Sequence, residues 1–359
     1  MIDTKTVKSW VAWPGAALAL ASAVLFGAST PFAKLLLGGG VNPWLLAGLL
    51  YLGSGIGLGL VHLSRRLCGV ATGETALRRA DVPWLALIVL FGGIAGPLLL
   101  MLGLSTTPAS SASLLLNLES LATMVIAWVF YRENVDRRLL LGALAILAGA
   151  LVLSWQGGPS GLGWGALAVA GACLCWGIDN NLTRKLSASD PLQIAMVKGL
   201  VAGNVNLALA LAMGAHQPAS SGLAAAALIG FLGYGVSLVL FVLGLRYLGA
   251  ARTGAYFSTA PFAGALLSVA LLGDPFSARL GIAGVLMGFG LYLHLVESHN
   301  HEHAHEAMEH AHRHVHDEHH QHEHGPDDPP GEPHAHWHRH APLTHSHAHY
   351  PDLHHRHEH

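Results

Sequence analysis

The chain has 359 residues, 52% of them hydrophobic and only 11% charged, where a soluble domain carries about a quarter charged residues. That composition excludes an ordinary soluble domain and points into a membrane. The formal charge of −2 hides a segregation: up to Ser298 there are 16 Lys and Arg against 10 Asp and Glu, and beyond it 3 against 11, with 23 of the 26 His.

The N-terminus has no short apolar stretch ending in a small-residue cleavage site, so its first apolar segment reads as a retained span. After a cytoplasmic N-terminus over 1–13, ten apolar segments follow: 14–37, 43–63, 83–104, 109–131, 138–155, 163–183, 191–213, 223–245, 251–272 and 280–297. Most approach the roughly 20 residues that cross a bilayer as a helix. They are rich in Gly, Ala and Leu, which lets membrane helices approach closely. Pro, Gly and charged residues separate them, as at Asn42-Pro43, Arg65 to Asp81, Thr107-Pro108, Gly157-Gly158-Pro159, Asp190-Pro191 and Asp274-Pro275. The three Cys suggest no disulfide framework: Cys68 sits in a charged loop, and Cys173 and Cys175, two apart on a helix, read as small packing residues.

The stretch Ala109 to Glu133 returns in degraded form as Ala250 to Asp274, at a constant offset of 141 residues. Asn117 falls on Ser258, Ser120 on Pro261 and Glu133 on Asp274. The first helices match at an offset of 150: Phe26-Gly27 lies over Trp176-Gly177, Pro31 over Asn181 and Lys34 over Arg184. Thirteen Lys and Arg, among them Lys5, Arg65, Arg78, Arg132, Arg184 and Arg246, fall on one side when the spans alternate. Positive-inside bias then puts both termini in the cytoplasm. With five spans per half, the copies enter from opposite faces, an inverted repeat over 14–155 and 163–297. The expected fold class is an all-α membrane protein of ten helices, with a disordered His-rich cytoplasmic tail over 298–359.

Leu25-Phe26-Gly27 and Cys175-Trp176-Gly177 resemble the motif that opens each half of the EamA family of the drug/metabolite transporter superfamily. Arg132-Glu133 and Gly273-Asp274 resemble the acidic ending of its fourth and ninth helices. The likeness covers about 15 to 297, and its motifs occur twice at consistent spacing. Lys198 fills the family's basic position seven residues after Pro191, while Leu50 stands at that place after Pro43; Pro261 keeps a proline for which the fourth helix has Ser120. The resemblance implies alternating access around a central cavity lined by helices one, three, four, six, eight and nine.

Ionisable groups inside hydrocarbon are costly and face a cavity or a partner. Three stand out: Glu119 in the fourth span, Asp179 in the sixth and Lys198 in the seventh. Glu119 and Lys198 fall at similar depth, from opposite halves, where they can pair. Glu119 reads either as a coupling or substrate-contacting carboxylate or as half of a structural ion pair. Asp179 reads as a pathway residue or as a solvated helix end, five residues before Arg184. Ser110, Ser113, Asn117 and Ser120 make one polar stripe at helical spacing, for a pathway or for helix packing. Glu119 lies about 200° around the helix from Asn117 and is off that stripe. Tyr256, Ser258, Asn180 and Lys34 complete the pathway candidates. Pro31 frees the carbonyl of Gly27, so a kink is expected in the first span.

No phosphate-binding glycine loop and no nucleophile–base arrangement is present, so neither ATP-driven pumping nor catalysis is expected. The tail is of another kind. His301, His303 and His305, then His310, His312, His314 and His316, then His334, His336, His338 and His340 recur at every second residue. Imidazole with nearby carboxylates suits Zn²⁺, Ni²⁺ or Co²⁺. The expectation is a secondary transporter, an exporter of a small metabolite across a bacterial inner membrane. Its partners are a small-molecule substrate, the lipid bilayer and a coupling proton or ion; it needs no cofactor and binds no nucleic acid. The alternatives are a transporter of a transition metal or metal chelate, with the tail as capture or sensing element, and a membrane-anchored metal buffer.

Overall fold

The structure, a computed structural model, describes residues 4–69, 77–131, 137–155, 163–183, 186, 189–241, 243–244, 253, 256–295, 299–305, 308–314, 334–340 and 343–349. Helix occupies each of the ten apolar segments. The first half holds α1 (Thr4–Gly38), α2 (Pro43–Leu67), α3 (Val82–Ile88), a π-helical segment π1 (Val89–Ala95), α4 (Gly96–Thr106), α5 (Ala109–Leu115), α6 (Leu118–Tyr131) and α7 (Arg137–Ser154). The second holds α8 (Trp164–Thr183), α9 (Pro191–Ala212), α10 (Ser220–Ile229), π2 (Gly230–Val236), α11 (237–241), α12 (Ala260–Leu272) and α13 (Ala278–Leu295). Among the described residues seven segments are long and apolar enough to cross a membrane, and α12 and α13 are shorter apolar helices. Lipid-facing side chains such as Leu60, Leu141, Phe130 and Val285 stay exposed, as a multi-pass bundle requires.

Local chemistry sets the helix starts. Asn42 accepts from the backbone N–H of Trp44 (2.9 Å) and Leu45 (3.3 Å), with Pro43 at the first helical position. Asp190 does the same for Leu192 (2.9 Å) before Pro191. An acceptor side chain followed by Pro is a strong helix start, and here it opens the second helix of each half.

Two irregularities recur with the repeat. π1 and π2 are both seven residues long, and π2 begins 141 positions after π1. The fourth span is not one continuous helix, in contrast to the sequence expectation. Leu116 and Asn117 form a turn between α5 and α6, with Asn117 N–H on the Leu114 carbonyl and Glu119 N–H on that of Leu116, both 3.0 Å. Ser258 and Thr259 form the matching turn before α12. There the cause is visible: Pro261 sits in the first turn of α12 and cannot continue an earlier helix.

The halves interlock. α1 packs on α12 and π2 of the other half, α8 on α6 and α4, while α2 meets α9 and α7 meets α13. Glycine permits these approaches: a Cβ on Gly55 would lie 2.5 Å from Leu200 N, one on Gly203 2.6 Å from Leu52 N, and one on Gly290 2.5 Å from Gly142 O. α1 runs as one helix through Pro31, and the Gly27 carbonyl that Pro31 frees faces Gly264.

Four segments of the tail are paired as strands. β1 (His299–His305) pairs antiparallel with β4 (Leu343–His349), and β2 (Met308–His314) with β3 (His334–His340). The register sets His310 opposite His338 and His312 opposite His336. Alternation at every second residue matches the period of a strand.

Candidate functional site

The π segment of the third span opens the site. In such a turn the hydrogen bonds widen and backbone carbonyls lose their regular partners. Gly92 O accepts from Tyr51 OH (2.6 Å) and Trp176 Nε1 (3.1 Å), and Gly93 O accepts from Asn206 Nδ2 (3.1 Å). π1 is thereby fixed to α2, α8 and α9 at one level.

Beside it lies an ion pair. Lys198 Nζ on α9 donates to Asp179 Oδ2 on α8, and Thr183 Oγ1 donates to Asp179 Oδ1 at 3.2 Å. Asp179 is only 5% exposed, so the solvated-helix-end reading is corrected: π1 covers it. A Cβ at position 92 would run into the Asp179 carboxylate and lie 2.6 Å from Lys198 Nζ, so a larger residue there must displace the ion pair.

Glu119 does not take Lys198 as its partner. Its Oε1 accepts from Asn180 Nδ2 (2.9 Å), and the same amide reaches Thr123 Oγ1 (3.3 Å). The reason is local: the turn at Leu116–Asn117 restarts the helix, so Glu119 stands in the first turn of α6, where a carboxylate is favoured by the helix dipole. Asp179, on the neighbouring helix, takes the ammonium instead. Asn180 is exposed, whereas Asn181 is buried and ties Gly177 O (2.8 Å) to Thr123 O (3.1 Å).

The polar stripe is buried. Ser110, Ser113 and Asn117 are 2%, 1% and 4% exposed. Asn117 Nδ2 caps the Leu114 carbonyl at 2.9 Å, and Ser120 Oγ bonds Asn117 O at 2.8 Å. Tyr256 and Ser258 are half-buried at the turn before α12. Lys34 lies at the far end of α1, on the carbonyls of Leu104 (2.6 Å) and Thr107 (2.9 Å).

An aromatic wall completes the site. Phe26 meets Trp176, Tyr234 and Phe257 at ring-centroid distances of 6.5, 5.8 and 5.4 Å, and Tyr51 meets Tyr234 at 5.4 Å. Phe26 and Trp176 are the repeat's own motif residues, so this wall had a signal in the sequence; its contact with Tyr51 and Tyr234 had none.

The charges are confined to one side of the repeat. At the two offsets of the repeat, Asp179 corresponds to Ser29, Asn180 to Thr30 and Glu119 to Ala260. Gly233, the counterpart of Gly92, faces Ser29 as Gly92 faces Asp179. Two equivalent niches exist, and only one is ionic. Among the described residues no three His, Cys, Asp or Glu gather as a metal site. The side chains of the tail histidines lie outside those residues, as do Glu133, Arg184 and Arg132.

The model of the EamA-like transporter family matches residues 13–155 and 163–296. An uncharacterized transporter of Methanothermobacter thermautotrophicus is 28% identical over 288 residues, covering 76% of this chain and 84% of that protein. A probable terminal-alkyne amino-acid exporter of Streptantibioticus cattleyicolor is 28% identical over 247 residues, 65% of this chain and 83% of its own length. A crystal structure at 22% identity superposes with a TM-score of 0.58 over 78% of this chain and 98% of its own, a likeness of fold alone.

Proposed function

This chain belongs to the EamA-like transporter family, and we propose that it is a secondary exporter of a small zwitterionic metabolite, working by alternating access in a bacterial inner membrane. The observation that carries this reading is the Asp179–Lys198 pair, set beside Glu119–Asn180 at a glycine-lined π segment. An ammonium and two carboxylates within one niche complement a ligand bearing both a carboxylate and an ammonium. Lys198 would receive the carboxylate, Asp179 the ammonium, and the Phe26–Trp176–Tyr234 wall the apolar remainder. Helices broken at mid-membrane are where transporters expose backbone to substrate, and the turns at Leu116–Asn117 and Ser258–Thr259 are of that kind. The name of the Streptantibioticus relative, an amino-acid exporter, agrees with the ligand class. Glu119 is the group left to a coupling proton or ion, since it has a neutral hydrogen-bond partner rather than a cation. Basic-loop bias sets both termini in the cytoplasm.

Uptake into everted vesicles tests this reading. Zwitterionic amino acids are expected to accumulate, and the corresponding decarboxylated amines and N-acylated anions are not. Equal transport of the amine would remove the role given to Lys198. The transition-metal reading rests on the tail register that sets His against His; its own test is metal accumulation in cells whose chain ends at Ser298.

A further inference from the structure

At the end of the bundle remote from the basic loops, two charged side chains hold backbone rather than each other. Lys34 Nζ, in the last part of α1, donates to Leu104 O at 2.6 Å and Thr107 O at 2.9 Å, with Ser105 O at 3.4 Å. These carbonyls end α4, where a helix has acceptors without donors and carries its negative pole. Asp274 follows Gly273, whose positive φ of 67° ends α12, and its Oδ2 accepts from Ser110 N–H at 2.8 Å. The Asp274 carboxylate also lies within electrostatic reach of Lys34. One cation and one anion thus tie α1 to α4 and α12 to α5.

Directly beneath, the bundle is shut. Ser110, Ser113 and Asn117 are buried, and Ser113 Oγ is packed near Gly264 with no hydrogen-bond partner among the described residues. At the charged niche Asn180 is exposed and Lys198 retains 16% of its side-chain surface. Outside the two ties a pocket of ≈ 500 Å³, lined among others by Lys34, Asn42, Ser105 and His216, reaches Lys34 from the other side. Water there can compete for Lys34, and Asp274 is itself half-exposed, so the ties can be made and released without burying an unpaired charge.

We propose that Lys34 and Asp274 form the outer latch of the transport cycle. Their bonds to the ends of α4 and α5 hold the far end closed while the charged niche faces the cytoplasm, and they release when it opens outward. The latch rests on the alternating-access reading above, but its state is read without transport. The two residues act through the helix ends they hold, so they are positioning residues and do not touch substrate.

The test is thiol accessibility from the Lys34 side. In a background with Cys68, Cys173 and Cys175 replaced by Ser, the near-isosteric Ser113→Cys is labelled with an impermeant maleimide in right-side-out vesicles. With the latch intact labelling is slow. Lys34→Met is expected to speed it about tenfold or more, the shift that loss of a charge-assisted bond produces, and Lys34→Arg to keep it slow. Asp274→Asn, which retains an acceptor for Ser110 N–H but loses the charge, should fall between and serves if Lys34→Met fails to insert. Unchanged labelling in an inserted Lys34→Met or Asp274→Asn protein overturns the latch, whether or not a zwitterion is transported. Faster labelling in a protein that moves no zwitterion supports the latch and removes the substrate reading.

Discussion

A buried ammonium and carboxylate on adjacent helices are each the other's chief compensation. Removing one member of such a pair costs about 3–5 kcal/mol, because a desolvated charge is left behind. Asp179→Asn and Lys198→Met are each expected to lower the melting temperature in detergent, and the double variant to recover most of that loss. Transport is not expected to return with stability, which separates a ligand role from a purely structural one. Glu119→Gln is a milder change, since its carboxamide oxygen still accepts from Asn180. That variant should insert and melt like the wild type yet fail to couple; wild-type ion-driven uptake would leave Glu119 a structural role only. The three ionisable residues were legible because charge in hydrocarbon is conspicuous in any apolar sequence. Their pairing was not. Depth along the chain places Glu119 level with Lys198, but only the restart of the helix at Leu118 and the packing of α8 decide which carboxylate meets the ammonium.

At the level of elements, the helix starts were written in the sequence and the breaks only half so. Asn42-Pro43 and Asp190-Pro191 announce themselves through capping chemistry. Pro261 marks the turn before α12, whereas Leu114 to Leu118 contains neither Pro nor Gly, and its Asn117 reads as one position of a polar stripe on an unbroken helix. The π segments were silent for a related reason: Gly92 and Gly93 are two glycines in a chain with 43. Their meaning appears only when Asp179 and Lys198 are seen against Gly92. Gly92→Ala is therefore expected to abolish transport and to cost about 1–3 kcal/mol of stability, as overpacking does. Gly233→Ala faces Ser29 instead and is expected to cost stability with a smaller loss of transport, compared by uptake at equal membrane content. Equal loss of transport in the two variants would mean that the niches are equivalent, against the assignment of the ionic one.

For the whole molecule, the inverted repeat explains why distant parts meet. The first helix of each half packs on the fourth and the third of the other, so no half can close a core alone. The membrane part is complete before Ser298, and a chain ending there is expected to insert and melt as the full chain does, measured by fluorescence-detected gel filtration. The isolated segment His299–His359 is expected to bind Ni²⁺ or Zn²⁺ near neutral pH and to release it below about pH 6. The sign follows from ligation by neutral imidazole, which protonates as pH falls through its reference pKa of about 6.5; calorimetry at both pH values checks it. The repeat was visible as two constant offsets, whereas the confinement of charge to one niche becomes meaningful only once Gly92 and Gly233 are seen in equivalent contacts.

Substrate is expected to bind in this ionic niche. Counterflow of a zwitterionic amino acid in proteoliposomes, wild type beside Lys198→Met and the Asp179→Asn/Lys198→Met double variant at equal protein, tests it most directly. Saturable counterflow by the wild type and none by either variant is the expected result. Counterflow at the wild-type rate in the folded double variant would place the substrate elsewhere in the bundle.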